Sequence, residues 1–175
     1  GAVLAESLDG LGQARVALLN IGVEDYKGNE QVKAAAALLE ACDSINYIGF
    51  VEGSALFEGV AEVVVCDGFV GNVTIKSSAG VVGVINQAMA RYVADQAGEK
   101  TGQASSAGAI EQLLQRIDPT EFNGASLLGL QGSIITSHGH ADARGFTCAI
   151  ERATKEAERN VPALIADKVA DIVGV

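Results

Sequence analysis

Three apolar runs without polar alternation constrain this chain most: ARVALLNIG (14–22), INYIGFV (45–51) and AEVVVCDG (61–68). A strand wetted on one side alternates apolar with polar residues, whereas a strand covered on both faces does not. ARVALLNIG therefore reads as a doubly buried strand. Between the runs the period changes. NEQVKAAAALLEAC (29–42) is rich in Ala and Leu, with Asn29 placed to cap it as a helix. From Val73 to about Gln96, the residues Val82, Ile85, Met89 and Tyr92 recur at helical spacing. Strands alternating with helices predict an α/β fold with a largely parallel sheet and right-handed crossovers.

The remaining segments are shorter. Residues 1–10 read as the end of a helix, GEKTGQASSAG (98–108) as a surface loop and AIEQLLQRI (109–117) as a short helix. GSIITSH holds a last strand, and two helices close the chain. In the first of these, Phe146, Ala149, Ile150, Ala153 and Ala157 fall on one stripe, while Glu151–Lys155 and Arg152–Glu156 pair on the wet side. No repeat or linker divides the sequence, so residues 1–175 are expected to form a single domain with a sizeable core.

Composition narrows the function classes. With 49% apolar residues and two prolines, the chain is not a disordered one. Cys42, Cys66 and Cys148 lie far apart inside apolar segments, which fits reduced core thiols and a cytoplasmic setting. No run of 18 apolar residues occurs, so no membrane span is expected. A net charge of −10 argues against non-specific nucleic-acid binding, because a phosphate backbone is repelled by the average field.

In open parallel sheets, ligands bind outside the carboxyl ends of strands. Three such ends carry polar or glycine-rich loops: NIGVEDYKGN, CDGFVGN and SHGHADARG. In CDGFVGN the glycines permit close backbone approach, and a helix start offers unpaired N–H groups to an anion. Asn72 is either the cap of that helix or an amide donor to substrate. Lys27 is either a solvated loop lysine or a phosphate clamp. Neither GxGxxG nor GxxxxGK[ST] occurs, so no dinucleotide or Walker site is signalled. SHGHADA resembles the opening of the HxHxDH signature, which would make His138, His140 and Asp142 zinc ligands of a hydrolase. Ala143 stands where the final histidine belongs, and the chain has no other histidine. The alternatives are plain loop histidines, or one histidine that donates to substrate or acts as a general acid. Cys66, inside its apolar run, reads as a packed and inert thiol.

Taken in order, ARVALLNIGVEDYKGNEQVKAA, INYIGFVEG, VVVCDGFVGNVTIKSSAG, NGASLLGLQGSIITSHGHADA and the closing helices resemble the bacterial phosphate acyltransferase family of phospholipid synthesis. Members look about twice this length, so the similarity is to their C-terminal half. The resemblance implies a three-layer α/β/α sandwich like isocitrate and isopropylmalate dehydrogenases, and a homodimer. It implies that a long-chain acyl group passes from acyl carrier protein to inorganic phosphate, giving acyl phosphate. Phosphate is then the nucleophile, and no cofactor or metal is called for. The family's KGN and DGFxGN elements match residues 27–29 and 67–72. On that match Lys27 clamps phosphate or the acyl carbonyl, Asn72 donates to the oxyanion, and His138 donates to the same oxygens. Gly28, Asn29, Asp67, Gly68 and Gly71 would line the substrate site, with main-chain N–H groups of residues 68–72 assisting. Relatives carry a long, basic and apolar helical arm near residues 81–117, which implies peripheral contact with a membrane or with a partner subunit; here that stretch departs from the family pattern, being shorter and broken by GEKTGQASSAG. Acyl carrier protein is acidic, so docking calls for a basic patch, for which Arg91, Lys100 and Arg116 are the candidates. A non-catalytic fragment or interaction module of the same fold is the alternative reading.

Overall fold

The most apolar run becomes the central strand. The structure, a computed structural model, describes residues 1–98 and 123–173. Strand β1 (Arg15–Asn20) lies between β2 (Asn46–Glu52) and β3 (Val63–Val65), and both pairings are parallel. Val16, Ala17 and Leu18 of β1 are buried, together with Ala14, Val51 of β2 and Ala36 of α2 (Glu30–Glu40). Helix α2 carries the chain from β1 to β2, the crossover that a parallel pair requires. Its start is the predicted one: the Asn29 side chain accepts from the Val32 N–H at 2.9 Å. This is an α/β fold.

After β2 a single 3₁₀ turn (Gly53–Ala55) begins the return, and β3 enters on the other side of β1. Arg15 fastens that entry. Glu62 accepts from the Arg15 backbone N–H at 2.7 Å and from its guanidinium, which also donates to the Gly59 carbonyl at 2.9 Å. These bonds from Arg15 hold the Glu62 carboxyl at about 2, below its ordinary 4.5. A depressed carboxylate stabilises the fold above the unfolded-state value and loses that contribution as pH falls through the folded one. A carboxyl titration followed by NMR is therefore expected to place Glu62 near about 2, and Arg15→Gln is expected to return it towards 4.5. An unchanged midpoint in the variant would contradict the pairing.

Helix α1 (Ala2–Asp9) packs against α5 (Val161–Val173), so the first and last elements meet. Helix α4 (Ala143–Glu158) packs against α5 and against β5 (Ile135–Thr136).

Four sequence expectations need correction. The last strand does not extend the parallel sheet among the described residues. β5 pairs antiparallel with β4 (Ala125–Ser126) in a separate ribbon. The connection between them, residues 127–134, is too short for the dozen or more residues of a parallel crossover. Second, α3 spans Gly68–Gly98 and begins five residues before Val73. Over Gly68–Tyr92 it is long and apolar enough to cross a membrane, by length and composition only, with mean hydropathy 1.3 and none of that window buried. Counting unbroken apolar residues missed it, because single polar residues such as Asn72 and Lys76 interrupt the run without lowering its mean much.

Third, the α4 stripe is only partly inward. Ala149 is buried, but Phe146 and Ile150 are more than half exposed. Glu156, expected on the wet side, is buried instead, where it accepts from the Ser126 hydroxyl and forms its ion pair with Arg152, whose Nε lies 3.3 Å away and donates to Ser126 Oγ. A buried carboxylate needs such partners. Fourth, none of the cysteines is a fully buried core residue: Cys66 is exposed, while Cys42 and Cys148 are half-buried. The loop expected at 98–108 (beyond Gly98) and the short helix at 109–117 lie outside the described residues.

Candidate active site

The strand order sets the location. From β1 the chain goes to β2 on one side, and β3 then pairs on the opposite side. The carboxyl ends of β1 and β3 therefore flank a topological switch point, the place where open α/β sheets bind ligands. Residues 21–29 leave β1 there, and Asp67 with the start of α3 leaves β3 beside them.

Lys27 is held within its loop. Its backbone N–H donates to the Glu24 carbonyl at 3.0 Å, and its Nζ meets Glu24 Oε2 at 2.8 Å. The stem of Lys27 lies over Gly22, where any Cβ would overlap it. The hydrogen bond to Glu24, aided by the charges of Glu24 and Glu52, holds the ammonium above its ordinary 10.5 against partial desolvation. The same bond draws Glu24 below the usual carboxylate value. Lys27 is thus a cation throughout the neutral range, and an anion that recruits it competes with Glu24 for the ammonium. Gly28 follows with φ 90, a left-handed conformation that favours glycine. Asn29 is committed to capping α2.

The start of α3 differs from the expected loop. Asp67 Oδ1 accepts from the N–H groups of Phe69 and Val70, both at 2.9 Å, and the Asp67 carbonyl accepts from Gly71 N–H at 2.9 Å. Asp67 is therefore the cap, and Gly68 and Gly71 lie within the helix. Asn72 stands in the second turn, exposed, with its carboxamide not used as the cap. Cys66 is exposed but its Sγ lies close to Gly71, and partial desolvation there, with the Asp67 charge, pushes its thiol up from 9.0, which disfavours the nucleophilic thiolate.

His138 lies in the loop that follows β5 of the second ribbon. Asn123 braces it: Oδ1 accepts from His138 N–H at 3.0 Å, while Nδ2 donates to Ser137 Oγ at 2.8 Å and to the Gly145 carbonyl at 2.7 Å. His138 Nδ1 accepts from the His140 backbone N–H at 3.2 Å, which leaves the Nε2 edge to face a ligand. Asp142 caps α4 through Gly145 N–H at 2.8 Å. The zinc reading is not supported by this arrangement. Among the described residues no three His, Cys, Asp or Glu side chains gather to hold a metal, and His138 Nδ1 and Asp142 are engaged by backbone donors.

The structure thus brings the Lys27 loop and the Asp67–α3 junction to one end of one sheet, and sets His138 in the loop after a separate two-stranded ribbon. Two residues escaped the sequence reading. Asn20, the last residue of β1, is buried and bonded to the Lys27 loop; a polar residue closing an apolar run was the available signal. Asn123 precedes the described ribbon and carried no signal of its own.

The family model described as "Fatty acid synthesis protein" matches residues 1–164. The chain belongs to that family. Relatives named "Phosphate acyltransferase" include one from Alcanivorax borkumensis, 47% identical over 167 residues, which cover 95% of this chain and 49% of the relative. Another, from Halorhodospira halophila, is 47% identical over 174 residues, covering 99% and 51%. A third, from Coxiella burnetii, is 41% identical over 173 residues, covering 99% and 50%. The chain spans about half the length of the curated relatives it matches.

Proposed function

We propose that this chain forms one domain of a phosphate acyltransferase in phospholipid synthesis, which moves a long-chain acyl group from acyl carrier protein to inorganic phosphate. The observation that carries the reading is that the Lys27 loop and the start of α3 leave the carboxyl ends of two adjacent parallel strands, β1 and β3, in a chain of this family. Hydrogen phosphate attacks the thioester carbonyl; a C–O bond forms, the C–S bond breaks, and the phosphate proton ends on the carrier thiol. Lys27 exchanges Glu24 for phosphate, and Asn72 donates to the oxyanion as charge develops there. His138 presents Nε2 to the same oxygens. Gly28 and Asn29 shape the phosphate side of the pocket, and Asp67, Gly68 and Gly71 set the direction of α3 and with it Asn72.

The main-chain role is narrower than the resemblance implied. The N–H groups of Phe69, Val70 and Gly71 are already bonded to Asp67, so side chains supply most of the anion contacts. The three-layer, dehydrogenase-like arrangement, the homodimer, the cytoplasmic setting and peripheral membrane contact through exposed α3 belong to the same proposal. So does a basic docking patch for acyl carrier protein. Of its candidates, Arg91 is exposed on α3, while Lys100 and Arg116 lie outside the described residues. Exposed Phe146, Ile150 and Leu38 fit a domain completed by further protein.

The test uses a full-length protein carrying this sequence, with acyl carrier protein loaded with a long-chain acyl group. Phosphate-dependent release of carrier thiol, matched by an acyl-phosphate signal in ³¹P NMR, is the expected result. Thiol release independent of phosphate, or none, would favour the non-catalytic reading.

A further inference from the structure

We infer that Asn20 is a positioning residue that sets Lys27 for phosphate, an inference that rests on the phosphate-acyltransfer reading. Asn20 ends β1, the strand paired on both sides, and is only 8% exposed. Its carboxamide uses both ends. Nδ2 donates to the Lys27 carbonyl at 3.2 Å, and Oδ1 accepts from Ile21 N–H at 2.9 Å. Gly28 packs so closely that a Cβ there would overlap Asn20 Oδ1. A buried polar side chain is retained only where its groups are satisfied, and here the satisfying groups are the backbone of the lysine loop.

The chemistry requires an amide. Aspartate keeps the acceptor for Ile21 but turns a second acceptor towards the Lys27 carbonyl, and an apolar residue leaves both backbone groups without their partner. The tie fixes the Lys27 backbone to the central strand of the sheet. Without it, the bonds that hold the loop of residues 21–29 among the described residues are its internal Glu24–Lys27 and Glu24–Tyr26 contacts and the Asn29 cap. The ammonium would then search a wider volume, and phosphate would have to order it on binding. Asn20 acts through Lys27 and touches no substrate.

The experiment measures initial rates in a full-length protein carrying this sequence, varying phosphate and acyl carrier protein separately. Asn20→Asp is expected to raise the KM for phosphate about tenfold, as loss of one such bond allows, with the KM for acyl carrier protein unchanged. In a Lys27→Ala background the same substitution is expected to add nothing, because residues that act through one another are not additive. Asn20→Ala, which breaks the tie without burying a carboxylate, should give the same pattern if the Asp variant folds poorly. Equal losses with and without Lys27, or a parallel rise in both KM values, overturn the inference and leave the function standing. No phosphate-dependent turnover in the unsubstituted protein overturns the function and this inference together.

Discussion

Lys27→Ala, in a full-length protein carrying this sequence, lowers acyl-phosphate formation by about 100-fold or more, the scale of losing one charge-stabilising contact at a transition state. Lys27 is fixed over Gly22 and kept protonated by Glu24, so a cation stands at the carboxyl end of β1 before any substrate arrives. Removing it takes away the counter-charge for phosphate and leaves Glu24 as an uncompensated anion in the same loop. Folding should hardly notice, because an exposed ion pair contributes little to stability. The measurement is kcat/KM for phosphate beside a thermal melt. A melt unchanged within a few degrees, with the rate collapsed, is the expected pair of results; near-normal turnover would remove Lys27 from the site.

Asn72→Ala is expected to lower kcat by about 100-fold as well, for a different reason. An oxyanion donor acts on charge that appears only in the transition state, so its loss falls on kcat more than on the KM for phosphate. The structure makes this substitution unusually clean. Asp67, not Asn72, holds the start of α3. Alanine is also the better helix former, by about 0.5 kcal/mol, so the variant should be no less stable than the parent. A variant that melts early and loses activity in proportion would instead mark Asn72 as structural.

The architecture was legible where one force dominated. The unbroken apolar run at β1 could only be satisfied inside a sheet, and the Asn29 cap follows from a short polar side chain before an Ala-rich segment. The start of α3 was not legible, because Gly68 and Gly71 weaken a helix locally and look like a loop. Asp67 offsets that by bonding two otherwise unpaired N–H groups. The β4–β5 ribbon was misread because short apolar runs do not reveal their pairing partner. On α4, periodicity told which residues share a face but not what covers it, so Phe146 and Ile150 came out exposed.

The candidate site divides in the same way. Lys27 and the α3 junction could be found from strand-end loops and from a family resemblance. That the two loops serve one site was also expected from the resemblance; the strand order that sets β3 beside β1, and not beyond β2, could not be read from the sequence. The Asn20 tie was hidden further, because a hydrogen bond to the Lys27 carbonyl depends on the path of the loop and leaves no periodic trace.

The most direct measurement is a crystal structure of a full-length protein carrying this sequence, grown with inorganic phosphate. One phosphate is expected at the carboxyl ends of β1 and β3, with oxygens about 3 Å from Lys27 Nζ and Asn72 Nδ2, and Glu24 displaced from the lysine. Phosphate bound elsewhere, with Lys27 still seated on Glu24 and Asn72 in solvent, would contradict this expectation.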